Sequence, residues 1–489
     1  MLLAWRGYRE GTMLATAPSL ESTFARELPE LTVRWHPREV PDPALAVLNE
    51  ALCTELGIDI GWARSPDGVA VLAGAAAPPS GTPVAQAYTG HQFGLLQPRL
   101  GDGRAVLLGE LRDRDGRLRD LHLKGSGATV FARGGDGRAV LGPMLREWLV
   151  SEYMHRIGIP TTRALAVVAT GERVLREDGP QPGAVLCRVA SSHLRVGTFV
   201  FAASAPDVLR RLTEMAIARH HPQCTDAERP ALALLEAVCE VQARLIAQWM
   251  CAGFVHGVMN TDNMTVSGET IDYGPCAFID AFDPGAVFSS IDANGRYAFG
   301  NQPLVAQWNL ARFAEALLPL LAEEEGDEDA AVAAATEVLG GFTARFGAHW
   351  RDGMRARLGL GGEHADDEHL IAGLLETMRT TGLDYHLTLR GLAGPATIRP
   401  ELADWAGRWR DRANLTDAQL AAAVLDANPL YLPRNHIVEA ALDAANGGDL
   451  APAFELAEVL TQPFDAQPGR ERFAAPPPGE YRAVTYCGT

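Results

Sequence analysis

Positive charge is what this chain is short of. Against 61 Asp and Glu it carries 43 Lys and Arg, a formal net charge of −18. Phosphate backbones demand basic surface, so nucleic acid is excluded as the main partner. Long apolar runs are missing as well. Nowhere do about eighteen uncharged apolar residues follow one another, which argues against a helical membrane span. Residues 1–20 break their apolar part with charges and show no signal-peptide core, so the expected location is the cytoplasm. Seven cysteines (Cys53, Cys187, Cys224, Cys239, Cys251, Cys276 and Cys487) form no C-x-x-C pair and no metal-ligand spacing. Buried reduced thiols are expected for most of them. No internal repeat of solenoid period occurs.

What is present is ordinary globular stock: 489 residues, 47% hydrophobic and 21% charged, enough for roughly two to three structural units. Residues 1–84 mix short helical patterns with Pro-containing links. From about 85 to 205 Asp-Gly turns separate β-type runs such as "RAVLLGEL", "LRDLHLKG" and "GAVLCRVA", a strong hairpin signal. One helix interrupts them, "LGPMLREWLVSEYMHRIG", with Leu141, Met144, Leu145 and Trp148 at helical spacing and Gly158-Ile159-Pro160 as its stop. After Pro206 helices dominate, with one unit expected over 206–330. A helical region and a Pro-rich tail are expected over 331–489. The acidic "LAEEEGDEDAAVAAA" reads as a solvated loop and helix start.

Chemistry concentrates in "HGVMNTDNMTVSGETIDYGPCAFID", residues 256–280. A kinase-like site needs a base Asp and a metal-binding Asn on one loop, then a metal-binding Asp before Gly. Asn263 and Asp272 supply the two ligands, both hard oxygen donors suited to Mg²⁺ or Mn²⁺. Counting back from Asn263 places His256 on the kinase His but Val258 on the base. A valine accepts no proton. Asp262, beside Asn263, is free to take that role.

Other elements read two ways. Gly101-Asp102-Gly103-Arg104 and Gly135-Asp136-Gly137-Arg138 are hairpin turns on the bland reading and phosphate cradles on the sharp one. Lys124 alternates out of a strand core and is a solvated lysine unless a helical Glu pairs with it. Glu147 and Glu152 are both placed for that, and periodicity does not choose. "GSGATV" lacks the G-K-[ST] order of a P-loop. Arg188 and Arg195 are surface charges or, beside a nucleotide cleft, polyphosphate ligands.

Assembled, "YTGHQFGLLQPRLGDGRAV", "LHLKGSGATVFARGGDGRAVLGPMLREWLVSEYMHRIGIPTTRAL", "HGVMNTDNMTVSGETIDYGPCAFID" and "NPLYLPRNHIVEAALDAANGGD" make the chain resemble the selenoprotein O family. Its members are pseudokinase-like enzymes that transfer AMP from ATP to protein hydroxyls. The resemblance runs from about residue 88 to 449. It implies an α+β, protein-kinase-like bilobal fold, a β-rich N-lobe and a helical C-lobe with extra helical segments at both termini. It further implies that Gly101, Gly103, Arg104, Lys124, Asp136, Gly137, Arg188, Arg195 and Asp272 bind the nucleotide, held inverted relative to kinases. Lys124 would pair with Glu147, Asp262 would be the proton acceptor, and Asn263 and Asp272 would hold Mg²⁺ or Mn²⁺. Partners would be proteins with hydroxyl side chains, this chain among them. "GATVFAR" and "VLGPMLRE" depart from the polar versions expected of the family. Ordinary phosphoryl transfer, UMP transfer from UTP and a nucleotide-binding scaffold are the competing readings. Because the family places a redox residue at the same terminus, a reversible Cys276–Cys487 disulfide is expected to tie the tail across the site.

Overall fold

Asp-Gly turns and β-type runs fold into an antiparallel sheet of eight strands. The computed structural model describes residues 15–177, 179–479 and 481–486. Across the sheet the order is Thr32–Arg34, Val84–Gln86, Ala105–Arg112, Leu118–Lys124, Gly179–Ala190, Arg163–Arg176 and Ala44–Leu48, with Ala139–Val140 beside Gly179–Ala190. The two outermost strands come from the segment before residue 85, where helices and links were expected. At three and five residues, they are too short to carry a readable period of two.

Strand alternation decides what faces the site. Leu121 and Leu123 join Val185, Cys187 and Val189 on one face, beneath Leu52, Trp62 and Leu72 from the preceding helices. A period of two then turns His122, Lys124 and Arg188 to the opposite face. There the helix Leu141–Arg156 packs, burying Met144, Leu145, Trp148 and Leu149 against Val167 and Leu186. It ends as its sequence predicts, with Gly158 in the left-handed region at φ 77°.

The 22-residue helix Pro230–Cys251 buries Leu234, Leu235, Val238 and Ile246, with Pro in its first turn. It delivers the chain to Phe254–Val255, which pairs antiparallel with Ala277–Phe278. That two-strand clamp pinches off the loop 256–276 from both ends. The acidic run forms the end of Gln302–Glu325, a turn and the start of Glu328–Gly340, capped by Asp327. Further helices enclose a separate core containing Ile371, Leu374, Trp405 and Trp409. The tail is extended and returns to the clamped loop. Thr485 bridges Ser289 and donates its hydroxyl to the Pro275 carbonyl at 2.7 Å. Cys487 lies outside the described residues. The other six cysteines are buried free thiols. Among the described residues no helix is long and apolar enough to cross a membrane.

Candidate functional site

One cleft of about 370 Å³ gathers nearly every residue singled out above: Gly101, Gly103, Arg104, Lys124, Asp136, Gly137, Arg188, Arg195, Asp262, Asn263 and Asp272 all line it. Glu147 sits behind Lys124. In a chain of net charge −18, this cleft is locally cationic. Lys124, Arg104, Arg133, Arg138, Arg176, Arg188 and Arg195 face it, against the carboxylates Asp136, Asp262 and Asp272. Low-dielectric walls with an excess of positive charge favour a polyanion.

At its floor the charges are tightly paired. Lys124 Nζ donates to Glu147 at 2.6 Å and also to Asp272. Arg188 donates to Asp272 at 2.8 Å and to Glu147 at 3.3 Å, and Arg195 lies 3.6 Å from the second Asp272 oxygen. Glu152 is engaged elsewhere, forming a two-pronged pair with Arg163 at 2.8 Å on both oxygens. The choice that periodicity left open thus falls on Glu147. Burial opposes charge on Asp272, but Lys124, Arg188 and Arg195 together hold its carboxyl well below the usual carboxylate range. Its backbone is unusual too: at φ 64° it is one of few non-glycine residues in the left-handed region, a conformation that persists where surroundings over-determine it. Arg188 and Arg195, both 2% exposed, are not surface charges.

Lys124 carries a signal that motif reading passed over. It is the only lysine in the chain; every other basic side chain is arginine. A compact ammonium fits between Glu147 and Asp272 where two guanidiniums already crowd the same carboxylate.

The clamped loop holds the remaining groups. His256 donates Nε2–H to the Ile271 carbonyl at 2.8 Å, and its Nδ1 accepts the Val258 N–H at 3.4 Å. It therefore ties the Asp272 segment to the loop that carries Asp262. Asn263 lines the same cleft and donates its amide N–H to the Val258 carbonyl at 2.9 Å, which leaves its oxygen as the group available to a cation. An ionised Asp272 and an amide oxygen are the sort of donor pair that Mg²⁺ or Mn²⁺ takes, the rest coming from phosphates and water. Asp262 is the outlier among the carboxylates. Burial pushes it up to about 6, with Arg195 pulling the other way. Its Oδ1 is buried without a hydrogen-bond partner, while Arg195 instead holds its backbone carbonyl at 2.9 Å. A carboxylate poised near neutrality with a bare oxygen can accept a proton.

The glycine turns differ from each other. Gly101 has φ 60°, and a Cβ there would run into the Phe131 ring, so the turn takes this path only as glycine. Asp136 spends its carboxylate on Arg176 at 2.8 Å. Motif reading also missed Asp102, His122 and Asn260. Asn260 takes Tyr297 O–H at 2.5 Å and Phe93 N–H at 3.2 Å on its oxygen, fixing the hairpin Gly90–Gln92/Leu95–Gln97 to the loop.

A family model described as protein adenylyltransferase SelO matches residues 16–461. Among similar curated proteins, the protein nucleotidyltransferase YdiU of Mycolicibacterium smegmatis is 57% identical over 488 residues, covering 97% of this chain and 99% of the relative. The protein of the same name from Pseudarthrobacter chlorophenolicus is 55% identical over 500 residues, covering 98% and 100%. That of Cereibacter sphaeroides is 53% identical over 485 residues, covering 96% and 99%.

Proposed function

As the chain belongs to the protein adenylyltransferase SelO family and is a nucleotidyltransferase, we propose that it moves AMP from ATP to hydroxyl side chains of proteins, releasing pyrophosphate. The observation that carries this reading is the displaced base. Val258 stands where a kinase would keep its aspartate, and Asp262, raised to about 6, lines the cleft with a buried Oδ1 that has no hydrogen-bond partner.

In this reading Arg104, Arg188, Arg195 and the Gly101–Gly103 and Asp136–Gly137 turns hold the triphosphate. Lys124 is oriented by Glu147. Asp262 takes the proton of the incoming hydroxyl, whose oxygen bonds to the α-phosphorus. The bond from that phosphorus to the bridging oxygen breaks, and pyrophosphate leaves with the electron pair. Asn263 and Asp272 would hold Mg²⁺ or Mn²⁺, which supplies positive charge opposite the phosphate oxygens. Positioning and fixed charge provide most of the acceleration. Residues 85–205 and 206–330 would act as the two lobes of a kinase-like arrangement, flanked by 1–84 and 331–489, in a cytoplasmic protein that also modifies itself.

The test is a pair of incubations with ATP labelled at the α- or the γ-phosphate, in the presence of Mg²⁺ or Mn²⁺. Label from the α-position is expected on protein, and label from the γ-position is not. Transfer of γ-label alone would replace this reading by a kinase. Label transferred to protein from α-labelled UTP reports whether UMP is the group carried.

A further inference from the structure

Strand pairing sets His122 directly opposite Arg188. The register runs Leu186 with Lys124, Cys187 with Leu123 and Arg188 with His122, so both side chains leave the sheet on the face of the cleft. His122 is fully buried and does not line the cleft. Arg188 Nε donates to His122 Nδ1 at 3.3 Å. A guanidinium N–H can only donate, so Nδ1 is the bare nitrogen of the ring. The ring proton therefore sits on Nε2, 3.3 Å from Asp102 Oδ2, an oxygen that also accepts the Gln86 N–H at 2.9 Å. Asp102 is the residue between Gly101 and Gly103.

A line of contacts thus runs from the glycine turn through His122 and Arg188 to Asp272 and Glu147. His193 stacks on His122 with centroids 4.0 Å apart and planes 17° from parallel. His193 is itself anchored through Nδ1 to Asp120 at 2.9 Å. The stack and the two ring hydrogen bonds constrain both the position and the plane of the His122 imidazole. Burial holds its pKa below the ordinary imidazole value, against the pull of Asp102. With Nε tied to His122 and Nη1 to Asp272 and Glu147, Arg188 keeps only Nη2 without a partner among the described residues. A filler side chain would need neither ring nitrogen. Here both are used, one on each side of the phosphate-binding apparatus.

We propose that His122 is a positioning residue, neutral and protonated at Nε2, which sets the plane of the Arg188 guanidinium so that Nη2 meets the nucleotide phosphates. It couples that plane to the placement of Asp102 in the glycine turn. The inference rests on the proposed nucleotide site for what Arg188 binds.

Two substitutions divide the ring. His122→Asn puts an amide oxygen at the place of Nδ1 and keeps an acceptor for Arg188. His122→Gln puts its amide at the place of Nε2, keeping Asp102 and losing Arg188. With far-ultraviolet dichroism and melting temperature monitored, His122→Gln is expected to lower kcat about 10- to 100-fold and His122→Asn about threefold, KM for ATP moving little in either. In an Arg188→Lys background the effect of His122→Gln should vanish, because the histidine acts through the arginine. Equal losses for Asn and Gln, or an undiminished loss in that background, overturn the proposal and leave His122 a structural residue. A measurement on the unmodified protein decides the matter even where variants fold poorly. Histidine-selective ¹⁵N spectra at pH 7 are expected to show His122 with a bare Nδ1 and a protonated Nε2. The opposite tautomer or a doubly protonated ring refutes the assignment. Those spectra do not depend on which phosphate is transferred, so a γ-label result would sink the adenylyl-transfer reading and leave this one standing.

Discussion

Exchanging Asp262 for Asn should make the protein more stable while sharply lowering its turnover. Burial raises this carboxyl from 3.8 to about 6, and its Oδ1 has no partner to hold a charge. Since the folded value lies above the unfolded one, folding disfavours the ionised form. Below the unfolded value both states keep the proton and the site costs nothing. The cost grows as pH rises and levels off above the folded value. A gap of about two units corresponds to ~3 kcal/mol at neutral pH and above, roughly half of it already present at pH 5. The amide is uncharged throughout, so Asp262→Asn should gain up to ~3 kcal/mol at pH 8 but only ~1.5 kcal/mol at pH 5.

Denaturant midpoints followed by tryptophan fluorescence, in chelator and without nucleotide, give the difference between variant and parent at each pH. Turnover of the variant should fall about 10²- to 10⁴-fold, the usual contribution of a positioned base, with ATP affinity close to that of the parent. A gain that is flat from pH 5 to 8, or a loss of stability, would mean that Asp262 ionises at its ordinary value. Retained turnover would remove it as the base.

Gly90→Ala is expected to lower turnover at least about tenfold, because its Cβ would come 2.7 Å from Leu100 Cδ2 and nearer still to Asp262 Oδ1; full activity would show that the base tolerates displacement. Lys124→Arg keeps the charge but forces a fork between Glu147 and Asp272, so kcat should drop about 10²-fold, and near-parental kcat would show that charge alone suffices there. Because the chain has a single lysine, periodate-oxidised ATP with borohydride should label one internal peptide, protected by ATP; labelling that ATP does not block would move Lys124 away from the nucleotide. Thr485 donates to the Pro275 carbonyl beside Cys276 and so brings the tail to that loop. Peptide mapping without reductant should therefore find the Cys276–Cys487 link, and finding both thiols free after oxidant treatment would end that idea.

Sequence reading reached the cleft through residues whose type or spacing is diagnostic by itself: Asp-Gly turns, a stop at Gly158, a valine where an acid belongs. It stalled where the deciding contact is made across distant strands. Glu147 and Glu152 lie on one helix at spacings that both permit a strand lysine, and only the placement of Arg163, engaging Glu152, leaves Glu147 for Lys124. His122 was invisible for a related reason. A histidine alternating with leucines in a strand looks like any half-buried polar residue, and its meaning comes from Arg188, which pairs with it across the sheet.

One local signal did exist, in the composition of the basic residues. A chain that uses arginine at every other basic position has little use for lysine as a generic surface cation. The position that keeps lysine is then one where a guanidinium does not serve. The structure supplies the reason: Asp272 already carries Arg188 and faces Arg195, and its remaining contact, shared with Glu147, admits a point charge on a flexible stem but not a third planar fork. Residue identity against the chain's own habit thus points to the centre of the candidate site, where spacing and periodicity could offer only alternatives.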